Sequence, residues 1–426
     1  MDSAPTLLTL PPRDAERHSG GPAYMAGKRD LRIDLLRGAA IVAMIVDHVG
    51  GDGSWLYPLT GGNRFFVSAA EGFIFLSGLT AGIVYMGVAA REGLGSAIWK
   101  LLRRAAVLYL WTVGLTLILP ALANRLDIGW DDPFQGISPA DFAVSVLTLH
   151  RTYHLLDVLL LYVLLFSCGC VALALIAEGR TPVVLAFSWG VWATWQIWPQ
   201  YADLPWNIVG MDVFQFAAWQ ALFFTGIAIG AHRREIAQQL ARVPLTAYLV
   251  AGGAGLAAAI GFYQHELQAL VLIAPRANAQ MLADHLFSKS DLRIGRLIVF
   301  ACLAAFSFSL VTLGWQRVER LTGWLLLPLG QNSLTTYALH VGVVAGLTKL
   351  GTIAFGDGGR GIEQNTVLQL TGVFGVWLIV QGFIDVKAWW SERGWRWALS
   401  SSKRQLGSSA TLPVPVADEG QARQAA

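Results

Sequence analysis

The sequence predicts an all-α polytopic membrane protein with about ten transmembrane helices and both termini cytoplasmic. Three observations carry that prediction. Hydrophobic residues make up 54% of the 426, charged residues only 14%, and mean hydropathy is +0.50. An ordinary soluble domain is roughly 25% charged, so soluble and disordered classes are excluded. Apolar runs of about 20 residues, the length that crosses roughly 30 Å of hydrocarbon, recur along the chain. Lys and Arg gather between alternate runs, as the positive-inside bias requires.

Taken in order, residues 1–30 are polar, with Pro11 and Pro12, and lack the apolar core of a signal peptide. The first span is therefore expected to remain in the mature chain. Spans are expected at 34–50, 65–88, 104–123, 152–177, 181–199, 213–231, 244–264, 293–315, 325–350 and 365–385. They define a membrane domain over 31–390, followed by a flexible cytoplasmic tail over 391–426. With the N-terminus inside, 21 of the 31 Lys and Arg fall in cytoplasmic segments, Arg103 and Arg104 among them. The opposite connections, 51–64, 124–151, 200–212, 265–292 and 351–364, are rich in Trp, Asp, Pro and Gly. Many of the 17 Trp sit near span ends, the usual interfacial belt.

A net charge of +3 is too small to suggest nucleic acid as a partner. Cys168, Cys170 and Cys302 lie in apolar runs and give neither a disulfide framework nor a metal site. No internal repeat is visible, which disfavours repeat-built transporters. Nucleophile-elbow, phosphate-loop and dinucleotide motifs are absent. No feature fixes an oligomeric state.

Ionisable groups inside a bilayer cost at least about 2.5–3.5 kcal/mol, so each marks a potential site. The first span holds Asp34, Arg37, Asp47 and His48. Arg37 and His48 are close to three helical turns apart, on one face and about 16 Å from each other. Asp34 can pair with Arg37 one turn away. A cation near the cytoplasmic end and an imidazole farther out suit an anionic cofactor with a long reactive arm, such as coenzyme A. The same residues also fit a snorkelling pair and a hydrogen-bonded core histidine.

Glu71 stands in an otherwise apolar second span. It can orient and charge-stabilise His48, as an Asp does in a hydrolase triad, or pair with Arg64 or another cation. At the mouth of the fourth span, His150, His154 and Asp157 are expected to stack on one helical face. That arrangement suits acceptor binding, or plain interfacial polarity, better than a metal. In the ninth span Asn332, Ser333, Thr336 and His340 fall on or near one polar stripe, a pattern that also merely joins helices.

These segments resemble the membrane acyltransferase 3 superfamily, and more closely its OpgC branch. The resemblance rests on Arg37-x10-His48, on Ala69-Ala70-Glu71-Gly72-Phe73-Ile74-Phe75-Leu76-Ser77-Gly78, and on Leu156-Asp157-Val158-Leu159-Leu160-Leu161-Tyr162. It is completed by Leu329-Gly330-Gln331-Asn332-Ser333 with Tyr337 and His340. Leu160 stands where that branch usually has proline. The resemblance implies a bacterial inner-membrane enzyme that takes an acyl group from acyl-CoA inside the cell. It passes that group to a hydroxyl of a periplasmic glycan; for this branch that means succinylation of osmoregulated periplasmic glucans.

The expected mechanism follows. Neutral His48 takes the proton of the sugar hydroxyl, directly or through an acyl-histidine. Glu71 or Asp157 fixes its ring. Arg37, Asp34, Arg103 and Arg104 hold the acyl-CoA donor, succinyl-CoA or acetyl-CoA. His150, Arg151, His154, Asn332, Ser333 and His340 contact the acceptor. Arg151, Arg293 or Arg296 receives a succinyl carboxylate. No metal is expected. The rival readings are a proton-coupled transporter or flippase relaying through His48, Glu71 and Asp157, and a non-catalytic partner subunit.

Overall fold

The computed structural model describes residues 22–26, 29–63, 65–128, 130, 134, 136–271, 276–356 and 360–408. Most of the 1–30 segment, Arg64, and the tail beyond Ser408 lie outside the described residues. A small antiparallel hairpin, β1 (Met25–Ala26) and β2 (Arg29–Asp30), precedes the helices and is the one departure from the all-α expectation among them. Asp30 then caps α1 (Leu31–Val49) by accepting from the Arg32 N–H, satisfying a donor that a helix start leaves open.

The remaining long helices are α2 (Ala69–Glu92), α3 (Leu94–Leu126), α4 (Asp157–Ala177), α5 (Thr181–Ile197) and α6 (Phe216–Ala231). They continue with α7 (Leu245–Val271), α8 (Ile294–Leu313), α9 (Trp315–Gln331), α10 (Ser333–Phe355) and α11 (Ile362–Ser408). Contacts divide the chain into a body, Met1–Trp377, and a second unit, Leu378–Ala426. The described part of that second unit is the helical continuation of α11. The tail assigned to 391–426 thus begins as helix.

Each of the ten expected spans coincides with a helix, but seven described helices are long and apolar enough to cross a membrane: α2, α3, α4, α7, α8, α10 and α11. The other three fall short for identifiable reasons. Helix α1 carries Arg32, Asp34, Arg37 and Asp47. Helices α5 and α6 have 17 and 16 residues, so they reach about 24–26 Å at 1.5 Å per residue. The expected ninth span is also divided. Helix α9 ends at Gln331 and α10 starts at Ser333, with Asn332 as the break.

A proline lies one turn before that break. Pro328 has no N–H, so the carbonyl one turn earlier, on Trp324, loses its helical donor. The Trp377 indole N–H donates to it instead, at 3.1 Å. Asn332 Nδ2 in turn donates to the Pro328 carbonyl, at 3.0 Å.

Small residues set which helices touch. Gly78 and Gly82 on α2 face Gly226 and Gly230 on α6, and a Cβ at any of the four would strike the facing backbone. These are two G-x-x-x-G faces laid together, the arrangement that lets helix backbones approach in lipid. Gly38 on α1 meets the Leu326 carbonyl of α9 in the same way, and Gly330 meets the Asp34 carbonyl. Among the seven long apolar helices, α4 is the most enclosed, with 67% of its apolar stretch buried against 6% for α7. Leucines 159, 160, 161 and 165 are fully enclosed within it.

Candidate functional site

The Gly38–Gly330 contact brings the start of α10 beside α1, and two side-chain contacts follow in the same order along both helices. Arg37 donates from its terminal nitrogen to Ser333 Oγ. Farther along, His48 Nδ1 lies 2.9 Å from His340 Nε2. The planes of those imidazoles lie 26° apart, with 5.1 Å between centroids. His340 is itself buried and bonded through Nδ1 to the Tyr337 carbonyl. The hydroxyl of Tyr337 donates to the Leu155 carbonyl at 2.8 Å.

Arg37 and Arg104 line one cavity of ≈ 180 Å³, walled by Phe73, Tyr85, Tyr162 and Tyr337 and by Ser77 and Ser333. No carboxylate lies within ion-pair distance of either arginine among the described residues, and Arg37 Nε is buried without a hydrogen-bond partner. An enclosed guanidinium nitrogen lacking a counter-charge is costly. Tyr337 forms part of its wall. One side of the ring belongs to the cavity wall, and its edge meets His340 at 4.6 Å between centroids. Phe73 stacks on Tyr337 and stands edge-on to Tyr162.

The expected carboxylate partners of His48 are engaged elsewhere. Glu71 is fully buried and accepts from Arg296, with Nε at 2.8 Å and the terminal nitrogen at 2.5 Å on the same oxygen. Its other oxygen accepts from the Ser68 N–H and hydroxyl, the capping box that starts α2. The second reading of Glu71, pairing with a cation, is the one realised, and Arg296 is the cation. Arg296 is thereby also committed, as is Arg293, which sits 3.6 Å from Asp291 and donates to the Gln196 carbonyl.

Asp157 begins α4 and accepts from the Val158 N–H rather than from His48. The expected helical stack of His150, His154 and Asp157 does not form, because the helix starts only at Asp157. Before it, Arg151 bridges to Val209, and His154 takes a positive φ of 39° at the head of a short 3-10 turn. His150 turns back onto Thr148, and His154 stacks on Trp130 at 4.1 Å. Asn332 spends its amide on the helix break described above.

Of the expected donor contacts, Arg37 and Arg104 meet in the cavity and two do not join them. Asp34 pairs with Arg29 at 2.5 Å instead of Arg37, since Arg29 approaches from the hairpin. Arg103 is exposed and does not line the cavity. Among the described residues no cluster of His, Cys, Asp and Glu is spaced to hold a metal.

Lys289 is a residue that sequence reasoning missed. It lies in the connection before α8, its ammonium 5.7 Å from the Phe214 ring. Burial lowers its pKa, while the carboxylates of Glu71, Asp157 and Asp47 pull the other way and Arg296 reinforces the lowering. It also lies within electrostatic range of His48. One lysine in a long polar connection carries no register signal, so the sequence alone did not mark it.

These features define a multi-pass, predominantly helical membrane protein in which a cavity lined by Arg37 and Arg104 shares Tyr337 with a pair of imidazoles. A family model described as OpgC protein matches residues 29–388, so the chain belongs to the OpgC family. Membership makes it an OpgC-type glucan modification enzyme of the acyltransferase type. No curated protein and no solved structure matches the chain.

Proposed function

We propose that the protein transfers an acyl group, succinyl or acetyl, from cytoplasmic acyl-CoA to a hydroxyl of a periplasmic glycan, an osmoregulated periplasmic glucan. It does so in the bacterial inner membrane, through ten spans with both termini inside. The observation that carries the reading is Arg37, a half-buried arginine whose enclosed Nε has no hydrogen-bond partner, in a cavity shared with Arg104. Two such donors match phosphate oxygens by charge-assisted hydrogen bonds. The cavity then directs the pantetheine arm along Phe73 and Tyr162 toward Tyr337, behind which the imidazoles stand.

At that end His48 accepts the proton of the sugar hydroxyl as its oxygen bonds to the thioester carbonyl carbon. The carbon–sulfur bond then breaks, and the CoA sulfur leaves with the proton returned from His48. Lys289, within electrostatic range of His48, supplies a cation for a dicarboxylic acyl chain. A transporter relay is less well supported, since the Arg296 ion pair withdraws Glu71 from proton carriage.

Membranes bearing native protein or His48→Ala, at matched levels, are given radiolabelled succinyl-CoA or acetyl-CoA and periplasmic glucan. Label entering the glucan from one donor, and lost at least 100-fold in His48→Ala, is expected. Near-normal transfer by His48→Ala overturns the role of His48. No label from either donor with native protein overturns the reaction.

A further inference from the structure

We infer that His340 is a positioning residue: it fixes the tautomer of His48 so that Nε2, not Nδ1, is the basic nitrogen. This deepens the acyl-transfer reading above and rests on it for its kinetic consequences.

The inference follows from which groups can donate. A peptide carbonyl carries no proton, so the bond between the Tyr337 carbonyl and His340 requires hydrogen on His340 Nδ1. A neutral imidazole holds one such proton, and His340 Nε2 is therefore a lone pair. That lone pair lies 2.9 Å from His48 Nδ1 and makes it the donor. The proton on His48 is thus held at Nδ1, and its Nε2 is left as acceptor. When Nε2 takes a proton, the Nδ1–H bond to His340 becomes charge-assisted and shields the imidazolium. A carboxylate fills this place in the familiar triads; here a neutral imidazole anchored to the backbone fills it.

The anchoring is what makes the device rigid. His340 is 1% exposed and its carbonyl partner sits one turn back on the same helix. Tyr337 is held in turn by the Leu155 carbonyl and by stacking on Phe73. Neither ring of the pair can turn over without breaking a hydrogen bond.

The test uses the full chain, labelled with [15N]histidine in bilayers, and magic-angle-spinning NMR. His48 resonances are identified by their absence in His48→Ala. The native spectrum is expected to show His48 protonated at Nδ1 and unprotonated at Nε2. In His340→Phe, which keeps a flat ring but no acceptor, that preference is expected to disappear. The kcat is expected to fall about 100-fold, within the range that a general base supplies, with KM for acyl-CoA unchanged. His340→Gln, whose amide oxygen can accept from Nδ1–H, is expected to restore at least a tenth of native kcat. Protonation of native His48 at Nε2 overturns the inference, as does a His340→Phe enzyme with native kcat or one altered only in KM. Absence of any transfer by native protein would defeat the proposed reaction, while the tautomer measurement would still decide the role of His340.

Discussion

Arg37 and Arg296 are both arginines enclosed by helices, and they differ in what faces them. Arg296 puts two nitrogens on Glu71, whose second oxygen is filled by Ser68. Arg37 has a serine hydroxyl and a cavity. The first site is closed: every charge has its counter-charge, and nothing is left to bind. The second is open: among the described residues no carboxylate faces its positive charge. Burial alone does not distinguish structure from function here; the completeness of the hydrogen-bond shell does.

The comparison breaks most visibly at the closed site. Removing one partner of a buried pair leaves an uncompensated charge, a cost of about 3–5 kcal/mol. Glu71→Gln, and separately Arg296→Met, are expected to lower thermal stability steeply or abolish recovery of folded protein from detergent. Glu71→Leu combined with Arg296→Met is expected to recover much of the loss, because two apolar side chains then occupy the space. Melting curves of the purified variants decide it. Single variants as stable as native would show that the pair is not structural and would return Glu71 to consideration as a partner of His48.

The open site is expected to respond in the opposite way. Arg37→Met removes a charge that has no counter-charge, so the unliganded protein should melt at the native temperature or above. What it should lose is stabilisation by ligand, which for native protein is about 2.7 kcal/mol at a CoA concentration 100 times Kd. Thermal melts with and without CoA read both quantities. A destabilisation of Arg37→Met equal to that of Glu71→Gln would make the two arginines alike and remove the argument for a donor site.

The same contrast explains what could be read before the fold was known. Arg37 and His48 were legible as a pair because helical spacing puts residues eleven apart on one face, a relation internal to one element. The partner of Glu71 was not, since Arg296 follows it by 225 positions and only the packing of α2 near α8 joins them. His340 was legible as polar within an apolar helix, yet its contact with His48 depends on Gly38 and Gly330 letting α1 and α9 touch. Hydropathy located a helix at every expected span. Seven of those helices are long and uncharged enough by themselves to cross a membrane; a hydropathy average passes over Arg32, Asp34, Arg37 and Asp47 in α1. It also ran through Asn332, where one helix ends and the next begins. The displaced stack at 150–157 has a similar origin: a 3.6-residue period was carried into a segment whose helix had not yet begun.

The finest test of the open site lies in two neighbouring arginines. Arg103 and Arg104 are adjacent on α3 and carry the same charge, so any effect of overall basicity must be shared by both. Their side chains differ in direction: Arg104 lines the cavity and Arg103 is exposed. A hydrogen bond to a charged group contributes about 1.5–3 kcal/mol, which corresponds to roughly a tenfold or greater change in affinity at 1.4 kcal/mol per decade. Arg104→Gln is therefore expected to raise Kd for CoA about tenfold or more, and Arg103→Gln to leave it within twofold, by titration calorimetry at fixed salt. Raised ionic strength should weaken native and Arg103→Gln binding alike, since their cavities are identical. Equal losses in both variants would mean that CoA is attracted by the basic surface as a whole, and that the cavity between Arg37 and Arg104 holds some other anion.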